Sequence, residues 1–306
     1  MFSFVKAGAS ERMITFLESS VFESPAQTLV NTVNTVGVMG KGIAKEFKTR
    51  YPRMFREYRE LCEERSLQVG KLHLWRSDTR WVLNFPTKTT WKLPSKIDYI
   101  EQGLQKFVET YKDLGITSVS FPPLGCGNGN LNWGDVRPIM ESYLSPVSIP
   151  VYIHDVQVGP DFVAEHKESA RIPEDFAEFS DDLRNLAKNH VFATSKDSQF
   201  TVQMQTDNSL LVEHRSGKKE RIDEEFLQAS WVKLRERILS IDSFSDTKSQ
   251  RLKSYLFPIL SELPYVRSVK SRAGSSTASR AEALFLDRDQ YSPYTVAKPT
   301  QGWLFQ

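Results

Sequence analysis

The sequence is short of several things, and each shortage removes a class of function. It holds two cysteines, Cys62 and Cys126, in 306 residues. Their placement supports no disulfide framework, and two distant cysteines make no metal site, so no metal and no cofactor is expected. No stretch approaches the ~18–20 consecutive apolar residues of a membrane-spanning helix. The first twelve residues interrupt their apolar positions with Lys6, Ser10 and Glu11. That leaves no core for a secretory signal, and a cytoplasmic location is expected. An excess of one charge is missing too: 40 Lys and Arg stand against 38 Asp and Glu, a net of +2. Any surface for nucleic acid must therefore be local. Internal repeats and long low-complexity tracts are also absent.

What is present is an alternation of strands and helices across the first half. Thr28–Val33 reads as a buried strand after the turn at Ser24-Pro25, and a helical pattern over Gly42–Arg65 is interrupted by Pro52. Leu72–Trp75 and Trp81–Phe85 read as two strands joined by a polar turn. Lys96–Leu114 places Ile97, Ile100, Leu104, Phe107 and Tyr111 at helical spacing, and Gly115 stops it. Ile116–Phe121 is an uncharged strand buried on both faces. Asp135–Tyr143 reads as a helix and Val151–His154 as a strand. The pattern predicts a three-layer α/β/α sandwich over residues 12–157. Polar Gly159–Ala177 reads as a linker. From about residue 175 to 306 a smaller α+β domain is expected, with a hairpin of Phe200–Met204 and Leu210–His214, then helices. Ser268–Arg280, rich in Ser, Lys and Arg, reads as a loop, and aromatic Tyr291–Phe305 as a tail packed across the domain.

Two loops carry the chemistry. Val30-Asn31-Thr32-Val33-Asn34-Thr35-Val36-Gly37-Val38-Met39-Gly40-Lys41-Gly42 runs from a strand into a helix. Its glycines allow close backbone approach to a ligand, and the following helix N-terminus favours a phosphate. Asn31 and Asn34 each offer a donor and an acceptor, which suits the vicinal hydroxyls of a ribose. Pro122-Pro123-Leu124-Gly125-Cys126-Gly127-Asn128-Gly129-Asn130-Leu131-Asn132-Trp133 likewise follows a buried strand and precedes a helix. Two such loops at the carboxyl ends of strands converge on one crevice and suit a diphosphate. Neither fits the P-loop or the dinucleotide glycine spacing. Cys126 lacks a histidine motif as partner and reads as a small residue in a tight loop.

These loops, together with Asn84-Phe85-Pro86-Thr87-Lys88, resemble macrodomains, which are mixed-sheet α/β/α folds. Within that fold they resemble the branch of terminal ADP-ribose glycohydrolases and bacterial DNA ADP-ribosyl glycohydrolase antitoxins, the DarG family. The resemblance covers roughly Met13–His154. It implies ADP-ribose binding and removal of ADP-ribose from DNA, in partnership with a DarT-like toxin that modifies DNA. The implied ligand contacts are Ser20 and Val21; Asn31, Asn34, Thr35, Gly37, Val38, Met39, Gly40 and Gly42; Thr87; and Leu124, Gly125, Cys126, Gly127, Asn128 and Gly129. The matching lysine, Lys88, is implied to be catalytic. A desolvated lysine has a lowered pKa, and its neutral amine can attack the anomeric carbon of a ribose.

Two positions depart from the relatives. Where eukaryotic relatives have an aspartate that helps resolve the lysine adduct, this chain has Gly129. Ser20 stands where most macrodomains have an aspartate on the adenine amino group. Trp91, in Thr89-Thr90-Trp91-Lys92, is a candidate for stacking on a DNA base. Lys41, Lys45, Lys48 and Arg50 form a candidate basic patch. The second half has no motif for chemistry; the resemblance implies that it neutralises the toxin by direct binding. Two other readings stand beside the DNA hydrolase: a non-catalytic ADP-ribose module that neutralises a toxin by binding it, and a hydrolase of ADP-ribosylated protein.

Overall fold

The structure is a computed structural model that describes residues 14–155, 171–188, 190–194, 198–236, 238–240, 243, 247–273, 281–287 and 303–305. The expectations for residues 1–12, for 159–170 of the linker, for 274–280 of the basic segment and for 291–302 of the tail lie outside the described residues. In the first half, β1 (Ile14–Leu17) and β2 (Thr28–Asn34) precede α1 (Gly42–Arg50) and α2 (Pro52–Glu63). Then come β3 (Leu72–Trp75), β4 (Trp81–Lys88), α3 (Ile97–Thr110), β5 (Val119–Phe121), α4 (Trp133–Leu144) and β6 (Val151–His154). The second half carries α5 (Phe176–Ala187), β7 (Val191–Ala193), β8 (Gln199–Met204), β9 (Leu210–His214) and β10 (Lys219–Ile222). It continues with α6 (Glu224–Glu236), β11 (Leu239–Ser240), α7 (Thr247–Ser261), β12 (Val266–Ala273), β13 (Ala281–Leu286) and β14 (Trp303–Phe305).

Strands β1, β6, β5, β2 and β4 lie side by side and parallel, and β3 joins β4 antiparallel. Alternation along the strands feeds two cores. Leu29, Val33 and Val82 pack with Met54, Tyr58 and Phe47 under α1 and α2. Val30, Leu83 and Phe85 face the other way, onto Ile100, Leu104 and Phe107 of α3 and Val136 and Met140 of α4. That is the expected three-layer sandwich with a mixed sheet. Pro52 does not kink one helix; it starts α2 at its first position, where its missing N–H costs nothing. The α3 helix lies so close to the sheet that a Cβ on Gly103 would sit 2.1 Å from the Phe85 ring.

The second half has its own core, in which Phe179, Trp231 and Leu256 pack beneath the antiparallel sheet β10-β9-β8-β7. Yet the main sheet does not stop at residue 157. Strand β12 pairs antiparallel with β1, and β13 and β11 follow it outward, while β14 closes the opposite edge on β3. Leu17 and Tyr152 of the first half share a small cluster with Val269, Ala283 and Phe285 of the second. The reading of Ser268–Arg280 as a loop is therefore corrected for its first part. Val266–Ala273 is a strand, held between β1 and β13, and Val266, Val269 and Ser271 are buried. Its polar composition misled because tertiary pairing overrides weak local preference.

Candidate functional site

The carboxyl ends of β6, β5, β2 and β4 meet at a cavity of about 770 Å³. At ~4.8 Å between neighbouring strands, the span from β6 to β4 is about 14 Å. Three features build the cavity. The first loop, after β2, is pinned by Asn34. Its Oδ1 accepts from the N–H groups of Val36 at 3.0 Å and Val38 at 3.3 Å, its Nδ2 donates to the Val38 carbonyl at 2.6 Å, and the Tyr58 hydroxyl donates to its backbone oxygen at 2.8 Å. Thr35 Oγ1 donates to the Thr89 carbonyl at 2.9 Å, tying this loop to the chain after Lys88. Gly40, Lys41 and the first turn of α1 (Gly42, Ile43, Ala44) line the cavity, and no side chain caps that turn. Uncapped N–H groups and the helix dipole make this wall favourable to an anion.

The second loop, after β5, is held by its own backbone. Leu131 N–H donates to Gly125 O at 3.1 Å, Asn130 N–H to Gly127 O at 3.1 Å, and Ser95 N–H to Gly129 O at 2.9 Å. A Cβ at Gly129 would lie 2.1 Å from Gly125 O and 2.4 Å from Ser95 Oγ. An aspartate therefore does not fit at 129 in this backbone, which accounts for its absence. The two loops touch: a Cβ on Gly42 would lie 2.9 Å from Asn128 Nδ2.

Lys88 ends β4, lines the cavity and donates from Nζ to the Asn128 carbonyl, so it reaches across to the second loop. Partial burial lowers its pKa below the ordinary lysine range. Among the described lining residues there is no Asp or Glu; the ionisable ones are Lys41, Lys88, Lys92 and His154. Trp91 stands at the cavity with 56% of its surface exposed, and Lys92 Nζ lies 5.3 Å from its ring centre.

Of the residues singled out in the sequence, Val21, Asn34, Val38, Gly40, Gly42, Thr87, Lys88, Trp91, Gly125, Gly127, Asn128 and Gly129 are brought together in the lining. Others stand behind it. Asn31 is fully buried, its Nδ2 donating to Asn84 Oδ1 at 2.8 Å, and Asn84 in turn lies 3.0 Å from His73 Nδ1. It belongs to a polar row across β2, β4 and β3. Thr35 and Gly37 shape the first loop, Gly37 with φ +78° against Arg59 of α2. Met39 and Leu124 are core residues. The Cys126 thiol is buried and pushed up to about 11, so it stays protonated near neutral pH and is a poor nucleophile. Ser20 is also buried; its hydroxyl accepts from Phe22 N–H at 3.3 Å. Within the basic patch, Arg50 is buried, bonded to Glu46 and set over the Phe22 ring, which removes it from any nucleic-acid surface.

The sequence reading did not place His154 in the crevice, and Lys92, Thr32, Val33, Ile43, Ala44 and Pro122-Pro123 were not named as ligand contacts, yet all line the cavity. The signal for His154 was its place at the end of a buried strand parallel to the others. Its ring is wholly buried, and desolvation lowers its pKa to about 4, so it is neutral. Nδ1 lies 3.1 Å from the Ser19 carbonyl and 3.2 Å from the Ser19 hydroxyl. Nε2 lies 3.3 Å from the Ser120 hydroxyl.

Parallel strands ending at two glycine loops and an open helix N-terminus form a crevice whose backbone N–H groups suit a phosphorylated ligand. Residues 30–140 match the family described as Macro domain, and the sandwich they form has the macrodomain α/β fold. It is similar to the DNA ADP-ribosyl glycohydrolase of Thermus aquaticus, 37% identical over 153 residues, 48% of this chain and 42% of that protein. The protein of the same description from Mycobacterium tuberculosis is 45% identical over 131 residues, 41% of this chain and 37% of the relative. A DNA ADP-ribosyl transferase-DNA ADP-ribosyl glycohydrolase fusion protein of Thermosipho africanus is 37% identical over 179 residues, 50% of this chain and 46% of the relative. The chain thus spans less than half the length of these curated relatives. Among solved structures, the macrodomain of Mycobacterium tuberculosis DarG is 39% identical, with 48% of this chain and 99% of that one covered and a TM-score of 0.47.

Proposed function

We propose that this chain is a hydrolase that removes ADP-ribose from ADP-ribosylated DNA, with Lys88 as the reacting group. It would act as the antitoxin to a DarT-like DNA ADP-ribosyltransferase. The observation that carries this reading is the position of Lys88, partly desolvated and reaching from the end of β4 to the second glycine loop. The uncapped start of α1 suits the diphosphate, and the distal ribose then lies against Asn34, Lys88 and the second loop. The base end falls about 14 Å away, beside Val21 and His154.

In the proposed reaction the neutral Lys88 amine attacks the anomeric carbon of the distal ribose. The bond to the DNA base breaks, its electron pair leaves with the base, and the base takes up a proton. The sugar ring opens to a protonated imine on Nζ. Water then adds at the same carbon, the carbon–nitrogen bond to Nζ breaks, and ADP-ribose and free lysine result. Ordered water carries the proton transfers that an aspartate at 129 would serve. Trp91 stacks on a base of the strand at the cavity mouth, and Lys92 accompanies it. The second half, from residue 175, binds the toxin directly; support comes from the Thermosipho africanus relative, whose name joins transferase and glycohydrolase in one chain.

The test is release of ADP-ribose from a modified single-stranded oligonucleotide, run beside an ADP-ribosylated protein. Release from DNA is expected; release from protein alone would favour the other hydrolase reading. Because the reacting form is the neutral amine, the rate should rise with pH and level off below the ordinary lysine range. A rate that falls as pH rises through that window contradicts the lysine route.

A further inference from the structure

The chemistry proposed for Lys88 leaves the lysines at the start of α1 and along it unused. Resting on the DNA-hydrolase reading above, we infer that Lys41, Lys45 and Lys48 form a track for the phosphates of one flank of the modified strand, leading from the cavity along α1. Lys41 stands where the helix begins and lines the cavity beside Gly40 and Gly42. At about 100° per residue, Lys45 and Lys48 fall within about 40° of it, so the three make one row. All three are exposed, whereas Phe47 and Arg50 on the other side of the helix are buried. The one acid of α1, Glu46, is turned inward onto Arg50 at 2.7 Å and is 13% exposed, so it does not neutralise the row. The far end is held in place: Lys48 Nζ lies 4.4 Å from the centre of the Phe55 ring of α2. Arg59 of α2 is paired with Glu63 at 3.3 Å and is not counted in the row.

The partner follows from charge and spacing. A row of ammonium groups favours a polyanion, and the chain as a whole, with 40 basic against 38 acidic residues, supplies no general attraction. At a rise of about 1.5 Å per residue, the path from Lys41 to Lys48 spans about 10 Å. That is room for about three phosphates of a strand that carries one roughly every 3.4 Å. A strand whose base joins the sugar at Lys88 leaves through the open side of the cavity, where Val38 is 39% exposed and Lys41 follows it in the lining. Lys45 and Lys48 lie outside that lining, so free ADP-ribose in the cavity does not call on them.

The experiment follows kcat/KM of the full chain against salt concentration on three substrates. One is an ADP-ribosylated mononucleotide; the others are single-stranded oligonucleotides extended from the modified nucleotide on the 5′ side only or on the 3′ side only. The double variant Lys45→Gln/Lys48→Gln leaves helix propensity nearly unchanged. On one of the two extended substrates it should raise KM about tenfold at roughly 0.1 M salt. On that substrate the slope of log kcat/KM against log salt should become shallower by about 1.4, which is about 0.7 for each lysine. The other extended substrate, the mononucleotide and kcat should not change. Loss shared by both extended substrates, or absent from both, overturns the track and leaves the hydrolase reading standing. A parent chain that releases no ADP-ribose from any of the three overturns that reading and this inference with it.

Discussion

The two glycine-rich loops look alike as strings, but they are held by opposite means. The first is fixed by a side chain: the Asn34 amide satisfies two backbone N–H groups and one carbonyl, and Tyr58 buttresses it from α2. The second is closed on itself mainly by backbone-to-backbone hydrogen bonds, and Gly129 sits where no Cβ fits. An asparagine that pins a loop tolerates little change in its own chemistry. A glycine that lets two strands of a loop touch tolerates no added atom. The same cavity wall can thus be rigid for different physical reasons, and the two loops should fail differently.

The largest effect should come from the second loop. Gly129→Ala is expected to cost about 3 kcal/mol of stability, because the loop must open to admit one methyl group, and to abolish ADP-ribose binding. Denaturant unfolding and titration of the ligand check both; a variant as stable as the parent would show that the loop is not held by that contact. Next, Asn34→Ala should lose about 2 kcal/mol, the cost of leaving its loop amides without partners. Its unfolding should remain a single transition. A smaller, purely functional effect is expected at Trp91→Ala: about tenfold weaker binding of modified oligonucleotide, with free ADP-ribose affinity and thermal stability unchanged. Equal weakening of free ADP-ribose would place Trp91 in the sugar site. The smallest belongs to Gly127→Ala, where a new Cβ meets nothing within 4 Å. Its stability should stay within about 0.5 kcal/mol of the parent, which makes it the control for Gly129.

Much of the first half was legible because its periodicities are strong. The uncharged run ending at Phe121 and the three- and four-residue spacing of Ile100, Leu104 and Phe107 each admit one reading. The pair of loops was legible as a ligand site for the same reason. Individual roles were less so. Asn31 and Asn34 have the same chemistry in sequence, but strand alternation buries one under α2 and turns the other to the cavity. The basic appearance of Arg50 gave no hint that its guanidinium lies over Phe22. The strand β12 hid behind Ser, Lys and Arg, since nothing local announces that β1, over 250 residues earlier, supplies its partner. His154 was passed over for a similar reason: its neighbours Ser19, in the bend after β1, and Ser120, in β5, are far from it in sequence.

The proposal stands or falls most directly on a single-turnover assay of ADP-ribosylated single-stranded DNA with the parent chain and Lys88→Ala, read beside their affinities for ADP-ribose. The expected result is a loss of at least about a hundredfold in the rate of ADP-ribose release, with affinity changed only a few fold. Release by Lys88→Ala at the parent rate would contradict the lysine mechanism.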